Sequence, residues 1–393
     1  MPAGGDPMFG KIPRVLAALS SRRISFELDL IPLDFKNVPS RKLLNWLLTE
    51  SSVALKPARP WGVPTLLQVE PTNRCNLRCH ACPVGMGLKR PAGDMRLEMF
   101  KDLIDHLGKF LLVMMFWDWG EPFLNSDAYE MIQYARRAGI KVVCSTNGHV
   151  FADGENARRV VNSGLDVLVF SVDGITQETY QAFRTQGKLE TVIQGIRNVV
   201  EQRGRLRSAT PVVNLRFIVT KHSEHEIPQL RPYARSLGVD VLTLRKFHFV
   251  PGTQKTVRGT AQETTRPERM VPSEAKFQLP VLQGGHLAPV RVARNPCRNL
   301  WNCPTIHRDG TVVSCFMDYD EKRPLGSLTT QTLGEIWRGE PYRRLRQAFR
   351  RSWQELTICE ECPSGYKGGD VGHEANAEVF FFSSPGSFAR AGS

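Results

Sequence analysis

The sequence contains the segment Val69-Glu70-Pro71-Thr72-Asn73-Arg74-Cys75-Asn76-Leu77-Arg78-Cys79-His80-Ala81-Cys82-Pro83, which follows a short apolar run. It carries three cysteines with the spacing C-x3-C-x2-C. Three thiolates this close cannot pair as disulfides without leaving one over, but they can ligate three irons of a cubane iron–sulfur cluster, which normally takes four cysteines. The fourth iron then has no ligand from this stretch. An external molecule can bind it, as at the open position of a catalytic zinc.

A zinc site is the alternative for the same cysteines. Zinc sites usually show paired C-x2-C or C-x4-C spacings, or histidines at helical spacing. His80 lies between two of the cysteines, a position that suits a loop residue better than a ligand. We therefore prefer the iron–sulfur interpretation.

The C-x3-C-x2-C spacing resembles that of the radical S-adenosylmethionine (radical SAM) enzymes. In that family the open iron binds the amino and carboxylate groups of S-adenosylmethionine (SAM). The resemblance implies a [4Fe-4S] cluster on Cys75, Cys79 and Cys82, with SAM as a second cofactor.

Apolar strands alternate with amphipathic helical patterns downstream of the apolar run. Six strands are predicted, over residues 65–70, 111–119, 141–146, 167–172, 212–220 and 241–247. This alternation implies right-handed βαβ crossovers and a parallel sheet covered on both faces. Six such units resemble the partial (β/α)6 TIM-like barrel of radical SAM enzymes. In α/β folds of this kind, chemistry gathers at the carboxyl ends of the strands.

Small polar groups follow several of these predicted strand ends. Trp119-Gly120-Glu121-Pro122 resembles the family's Gly-Gly-Glu-Pro motif, which receives the amino group of methionine, with Trp119 replacing the first glycine. Taken singly, pairs such as Asn-Gly and Asp-Gly are mostly turns, but here they recur at successive strand ends. The SAM-binding residues that the resemblance implies are Gly120, Glu121, Asn147, Ser171, Asp173 and Arg184.

Five of the nine cysteines lie in the C-terminal region. A hairpin with an Asp-Gly turn is predicted between Cys303 and Cys315, and Cys359 and Cys362 form a C-x2-C pair. This order resembles the SPASM/twitch domain, a small α+β domain with one or two auxiliary four-iron clusters. Five cysteines favour one auxiliary [4Fe-4S] cluster, as in the twitch type. The implied ligands are Cys297, Cys315, Cys359 and Cys362, and a structural zinc on the same sulfurs is the alternative.

Two further features have more than one interpretation. Cys303 is a spare core thiol, an alternative ligand, or a hydrogen-atom donor to a substrate radical. We prefer the spare thiol, because free cysteines are often simply buried. A predicted basic helix presents either a solvated face or a docking site for a phosphate-bearing or acidic partner, through Arg343, Arg344, Arg346, Arg350 and Arg351.

Composition and organisation complete the prediction. The chain has 393 residues and a net charge of +13. It shows no signal peptide and no apolar run of 18 residues, so we expect a reducing, cytoplasmic location. Nucleic acid is disfavoured, because no aromatic-interleaved basic platform is visible. The predicted parts are an amphipathic extension (1–60), the radical SAM barrel (61–250), a connector (251–290), the SPASM/twitch domain (291–366) and a mobile tail (367–393).

The N-terminal extension contains two predicted short amphipathic helices with basic flanks, at residues 11–20 and 41–48. Packing against the barrel is the preferred interpretation. Peripheral contact with a membrane interface is the alternative, since basic amphipathic helices that contain tryptophan can lie there.

The resemblance predicts reductive cleavage of SAM to a 5′-deoxyadenosyl radical that removes a hydrogen atom from an unactivated substrate carbon. With an auxiliary cluster as electron acceptor, the net reaction would be a dehydrogenation or a cross-link in a biosynthetic pathway. The substrate would be a sugar, a cyclitol or a lipid-linked molecule, and the electron donor a flavodoxin or ferredoxin. The alternatives are a ribosomal peptide maturase, a Cys303-dependent epimerase, and a non-catalytic iron–sulfur or electron-transfer protein, which would need no SAM pocket.

Overall fold

The computed structural model describes residues 20–247, 270–278, 292–293, 295–360, 362–365 and 376–383. The strands are β1 Ile24–Leu28, β2 Ile31–Phe35, β3 Leu66–Val69, β4 Val113–Met115, β5 Lys141–Thr146, β6 Val167–Ser171, β7 Val212–Ile218, β8 Val241–Arg245, β9 Thr305–Ile306, β10 Thr311–Val313, β11 Gly326–Ser327 and β12 Asn376–Phe381. The helices are α1 Ser40–Leu55, α2 Leu97–Leu107, α3 Ala128–Arg137, α4 Gly154–Asn162, α5 Gln177–Phe183, α6 Leu189–Arg205, α7 Ile227–Ser236, α8 Asn299–Asn302, α9 Leu333–Arg338, α10 Glu340–Ser352 and α11 Thr357–Glu360. No helix among these residues is long and apolar enough to cross a bilayer.

Strands β3 to β8 are parallel neighbours in chain order, and helices lie between them. They correspond to the six predicted strands, so the predicted α/β partial barrel is confirmed. Successive strand residues face opposite sides, as the period of a strand requires. Val142 and Cys144 of β5 join the outer core beneath the helices, whereas Val143 faces the inside of the barrel.

The sheet continues beyond the barrel at both edges. On one side β9 pairs in parallel with β3, followed by β10 and β11, so the C-terminal cysteine-rich region extends the barrel sheet. On the other side β12 pairs antiparallel with β8. Residues 376–381 were predicted to belong to a mobile tail, and that prediction is wrong for this segment. Its side chains alternate, with Phe380 packed on the outer core and Phe381 on the inner one.

The inside of the barrel is filled by an N-terminal hairpin that the sequence analysis did not predict. β1 and β2 pair antiparallel, and their apolar side chains pack on inward-facing residues of the barrel strands, such as Met115, Val143 and Val169. The predicted helix at 41–48 forms part of α1, whereas most of the one predicted at 11–20 lies outside the described residues. The extension therefore completes the core of the barrel.

Asp29, in the turn of this hairpin, anchors it to the barrel. Its backbone has a φ of 52°, in the left-handed region that aspartate tolerates better than most residues. Its carboxylate is 1% exposed and accepts hydrogen bonds from Arg216 Nε at 3.0 Å and Asn214 Nδ2 at 3.3 Å. Arg245 Nη1 lies 3.4 Å away. A buried carboxylate thus compensates two buried arginines.

The Asp29→Ala variant should lose about 3–5 kcal/mol of unfolding free energy, because it leaves two buried guanidinium groups without this carboxylate. Urea denaturation followed by far-UV circular dichroism measures the loss. The matched control is Glu27→Ala, an exposed acidic residue of the same hairpin, which should change stability by less than about 0.5 kcal/mol. Equal losses in the two variants would contradict the anchoring role.

Candidate active site

The cysteine loop begins where β3 ends, at the edge of the sheet where the carboxyl ends of the parallel strands meet. Cys75, Cys79 and Cys82 line one cleft there. Residues at or near the carboxyl ends of β4 to β8 line the same cleft, among them Gly120, Glu121, Asn147, Ser171, Arg216 and Phe247. Arg184, which directly follows α5, lines it as well. The structure therefore brings the three thiols together with five of the six residues predicted to bind SAM.

The cysteine loop is tightly folded around its sulfurs. Cys82 N–H donates to Cys79 O at 3.2 Å, and Leu77 N–H points at Cys75 Sγ at 3.4 Å. A Cβ on Gly85 would lie 2.2 Å from Cys79 O, so the chain can pass here only as glycine. Burial raises the pKa of Cys75 to about 11 and that of Cys82 to about 12. Metal binding must therefore displace protons from these thiols. The three thiols border the same cleft, and an iron–sulfur cluster bound there would hold them as thiolates.

The Gly120-Glu121 turn packs against the cysteine loop. Gly120 has a φ of +149°, and a Cβ there would lie 2.2 Å from Thr72 O, so a side chain is excluded. Glu121 is buried, and its carboxylate accepts hydrogen bonds from Thr146 Oγ1 and from Asn147 N–H, both at 2.7 Å. Burial raises the pKa of Glu121 to about 7. An ammonium group nearby would favour its charged form.

Arg184 and Asp173 form a pair in which only the arginine reaches the cleft. Asp173 is fully buried; it accepts a hydrogen bond from Arg184 Nε and another from Ile218 N–H at 2.7 Å. The prediction that Asp173 contacts SAM is therefore not supported, because its carboxylate is used within the protein. It orients Arg184, whose planar fork can bind a carboxylate.

Trp119, the departure from the family motif, connects the barrel to the C-terminal region. Its indole Nε1–H donates to Phe316 O at 2.7 Å, and its ring lies 6.0 Å from that of Tyr319. Phe316 directly follows Cys315 and also lines the cleft. The C-terminal region thus forms one wall of the cleft.

A second cavity is lined by all four cysteines that were predicted to hold an auxiliary cluster, namely Cys297, Cys315, Cys359 and Cys362. Asn299 Nδ2–H points at Cys315 Sγ at 3.5 Å, and Ser364 Oγ lies 3.2 Å from Cys362 Sγ. Lys322 and Arg323 also border this cavity and can offset the negative charge of four thiolates. The donor set suits a closed four-iron cluster, and a tetrahedral zinc remains the alternative.

Cys303 lines neither of these two cavities. It is 5% exposed and packs in the inner apolar cluster of the barrel, and burial raises its pKa to about 12. It is not one of the described residues that line the cleft. The geometry agrees with a spare core thiol and gives no support to a hydrogen-atom donor, which must reach the substrate.

Three of the five arginines of the basic helix α10 make contacts within the protein, whereas Arg350 and Arg351 are exposed. Arg346 is fully buried, with its guanidinium 4.3 Å from the ring centroid of Trp337, and it donates to Leu300 O at 2.8 Å. Arg343 and Arg344 both donate to Glu340 on the same helix. These contacts explain much of the arginine run without a docking partner.

A buried charged cluster beside the cleft was missed by the sequence analysis. His307 is fully buried, with Nδ1 2.8 Å from Glu321 Oε1 and Nε2 3.4 Å from Asp118 Oδ2. Arg90 Nη1–H donates to Glu70 Oε1 at 2.8 Å and closes the cluster. The local signal was weak: Asp118 immediately precedes the Trp119-Gly120-Glu121 motif, but its partner is distant in sequence. Asp118 lines the cleft, so this cluster is part of the site.

The protonation of this cluster follows from its geometry. Burial alone would lower the pKa of His307, but the adjacent carboxylates of Asp118 and Glu321 outweigh it and raise the value to about 9. Burial raises the pKa of Asp118, against the opposing effect of the histidine. His307 is therefore an imidazolium between two carboxylates near neutral pH.

His307 should stabilise the fold in a pH-dependent way. Its folded pKa lies above the unfolded value of about 6.5, so its contribution is fully present below that pH and is lost as pH rises through about 9. The difference in unfolding free energy between wild type and His307→Gln should shrink over that window in urea denaturation. His106→Gln, on the exposed face of α2, serves as the control. A difference that stays constant with pH would contradict the imidazolium assignment.

Two family models match the chain. The Radical SAM superfamily matches residues 69–231, and the SPASM iron-sulfur cluster-binding domain matches residues 297–363. The first domain implies a [4Fe-4S] cluster and SAM, and the second implies auxiliary iron–sulfur clusters, so the predicted kinds of cofactor are confirmed.

Curated relatives differ in what their names describe. The chain is 29% identical to a cofactor-modifying protein for tungsten-containing aldehyde ferredoxin oxidoreductase from Pyrococcus furiosus, over 45% of this chain and 49% of that one. It is 32% identical to Fe-coproporphyrin III synthase from Methanosarcina barkeri, over 49% of this chain and 44% of that one. The chain thus spans about half the length of these two relatives. Mycofactocin maturase MftC from Mycobacterium ulcerans is 26% identical over 76% of this chain and 80% of that one.

Solved structures support the fold. SuiB from Streptococcus suis, solved with S-adenosylmethionine, aligns with a TM-score of 0.58 and 14% identity, over 91% of this chain and 83% of that one. The anSMEcpe structure with AdoMet aligns with a TM-score of 0.50 and 16% identity, over 84% and 96%. The two matched family models show that the chain contains a Radical SAM superfamily domain over residues 69–231 and a C-terminal SPASM iron-sulfur cluster-binding domain over residues 297–363.

Proposed function

We propose that this protein is a radical SAM oxidoreductase that removes a hydrogen atom from an unactivated carbon of its substrate, for a net two-electron oxidation in a biosynthetic pathway. The observation that carries the proposal is that the three thiols of the C-x3-C-x2-C loop border the same cleft as Glu121, Asn147 and Arg184. A non-catalytic iron–sulfur protein has no need of such a pocket.

The residues of the cleft have distinct roles in this proposal. Cys75, Cys79 and Cys82 would hold the [4Fe-4S] cluster, and the chemistry that this cluster would supply is one-electron reduction of bound SAM. Glu121 would receive the ammonium of methionine. Arg184, held in place by Asp173, would bind the methionine carboxylate through its planar fork.

A net oxidation also needs an acceptor for one electron and one proton. A substrate H–C–O–H group would lose a hydrogen atom to the 5′-deoxyadenosyl radical, one electron to the auxiliary cluster and its hydroxyl proton to a base, leaving C=O. Cys297, Cys315, Cys359 and Cys362 would hold that cluster behind the wall formed by Phe316. Asp118 lines the cleft and is oriented by His307, so we assign it as the base.

For the substrate we propose a small molecule such as a sugar, a cyclitol or a lipid-linked compound, and for the electron donor a flavodoxin or ferredoxin. The cleft is suited to a substrate with both apolar and polar parts. Its walls combine apolar rings such as Phe183 and Phe247 with polar and charged groups such as Gln68 and Arg216. A reducing, cytoplasmic compartment is consistent with nine cysteines, none of which forms a disulfide.

Maturation of a ribosomal peptide is the second candidate. It is favoured by the match to the maturase MftC, which extends over most of both chains. Described residues 20–60 form a hairpin and one helix rather than the winged helix expected of a peptide-recognition domain. An epimerase that relies on Cys303 has less support, because that thiol is packed in the inner core.

Anaerobic reconstitution tests the chemistry. With dithionite and SAM, the wild type should form 5′-deoxyadenosine. The triple variant Cys75/Cys79/Cys82→Ala should lose this product and keep roughly half of the iron, because the second site holds its own cluster. Cys144→Ala, a buried cysteine that borders neither cavity, is the matched control and should keep both iron and product. A wild type without product, or with zinc in the first site, would refute the proposal.

Arg184→Ala should raise the Kd for SAM by about 10- to 100-fold, since hydrogen bonds to charged groups contribute about 1.5–3 kcal/mol. Equilibrium dialysis with the reconstituted protein measures the Kd. Iron content should stay at the wild-type value and shows that the variant is folded. Arg158→Ala, on the exposed face of α4, is the control. An unchanged Kd in Arg184→Ala would remove this residue from the SAM site.

A further inference from the structure

Six large apolar side chains are exposed in the part of the chain that the structure describes, and four of them occur within 18 residues of sequence. Leu44, Leu48 and Leu55 of α1 are 58%, 37% and 55% exposed, and Trp61, shortly after the helix, is 49% exposed. Isolated exposed leucines are ordinary on protein surfaces. A concentration of four in one place needs an explanation.

These four exposed side chains are named here the Leu44–Trp61 surface. Residues 44, 48 and 55 lie within about 40° of one another around a helix of 3.6 residues per turn, so they form one stripe. The opposite face of α1 is buried against the barrel through Leu43, Thr49 and Val53. Trp61 N–H donates to Ser52 Oγ at 2.9 Å. Ser52 is one turn from both Leu48 and Leu55, which places Trp61 beside the stripe.

This surface lies on the opposite side of the barrel from the cleft. Lys42 of α1 donates to Gly139 O at 2.9 Å, just before β5 begins. Asn45 exchanges hydrogen bonds with Val63, just before β3. Both contacts are at the amino ends of the strands, whereas the cleft is at their carboxyl ends. The Leu44–Trp61 surface therefore plays no part in binding SAM or substrate.

The surroundings of the surface are basic. Arg41 is exposed one turn before Leu44, and Arg59 is exposed two residues before Trp61. Arg22, also exposed, donates to Ser40 Oγ at 3.2 Å at the start of α1. Glu50, the one acidic residue of α1, pairs with Arg298 of the C-terminal region. An apolar stripe flanked by arginines is complementary to a surface that carries negative charge and has an apolar layer beneath it.

We propose that the Leu44–Trp61 surface binds the face of an anionic membrane, with the leucines in the boundary between headgroups and acyl chains. A convex helix face suits a flat interface. Tryptophan favours the headgroup level, and arginines favour lipid phosphates. A second copy of the chain is a poorer occupant, because a two-fold contact here would bring Arg41 and Arg59 of both copies together. The cleft faces away from the membrane, and the proposal is independent of the proposed catalytic function.

Sedimentation of the full-length, cluster-loaded protein with vesicles tests this proposal. Wild type should sediment with vesicles of phosphatidylcholine and phosphatidylglycerol and much less with phosphatidylcholine alone. The variant Leu44→Ser/Leu48→Ser should lose roughly tenfold or more of its partitioning, since two buried leucines contribute to it. Arg41→Gln/Arg59→Gln should weaken binding to the anionic vesicles and reduce its dependence on salt.

The control is Leu206→Ser, because Leu206 is 42% exposed between Arg205 and Arg207 but stands without neighbouring exposed leucines. It should bind vesicles as the wild type does. Circular dichroism and iron content verify that each variant is folded. Absence of wild-type binding to the anionic vesicles, or undiminished binding by the double leucine variant, would overturn the proposal. So would a dimer in sedimentation velocity that the double leucine variant abolishes while vesicle binding persists.

Discussion

The structure depends on the backbone pairing of β3, which has β4 on one side and β9 on the other. Through this strand the barrel sheet passes into the C-terminal region without a break. The cysteine loop leaves the carboxyl end of β3, and the hairpin that leads to Cys315 begins at β9. Because hydrogen-bonded neighbours in a sheet lie only about 4.8 Å apart, the two groups of cysteines are held in a defined relation to each other.

Buried charges stabilise the same junction. The cluster of Glu70, Arg90, Asp118, His307 and Glu321 draws its members from the barrel, from the loop after the cysteines and from the C-terminal region. Buried charges are costly unless they are paired, so this cluster forms only when all three parts are assembled. It therefore couples the folding of the C-terminal region to that of the barrel. It also leaves one carboxylate, that of Asp118, on the wall of the cleft.

The N-terminal hairpin solves a different problem. A partial barrel leaves its inner face open, and the apolar side chains that point inward would otherwise be exposed to water. β1 and β2 cover them, and Asp29 compensates Arg216 and Arg245, which also line the cleft. The segment that presents the Leu44–Trp61 surface is thus joined in sequence to the one that completes the floor of the barrel.

Features that depend on short-range patterns could be predicted from the sequence. Strand and helix periodicity predicted the six barrel strands within a few residues. The C-x3-C-x2-C spacing predicted the first group of thiols, and the family resemblance implied the second group together with Glu121, Asn147 and Arg184. The folded structure was needed to show that Asp173 lies behind Arg184, that Cys303 is packed in the inner core, and that β12 forms an edge strand. It alone revealed the pairing of Asp118 with His307 and the place of the hairpin inside the barrel. These features depend on contacts between residues that are far apart in the chain. Which side chains become buried in such contacts depends on which surfaces of the fold meet, and a local sequence pattern does not contain that information.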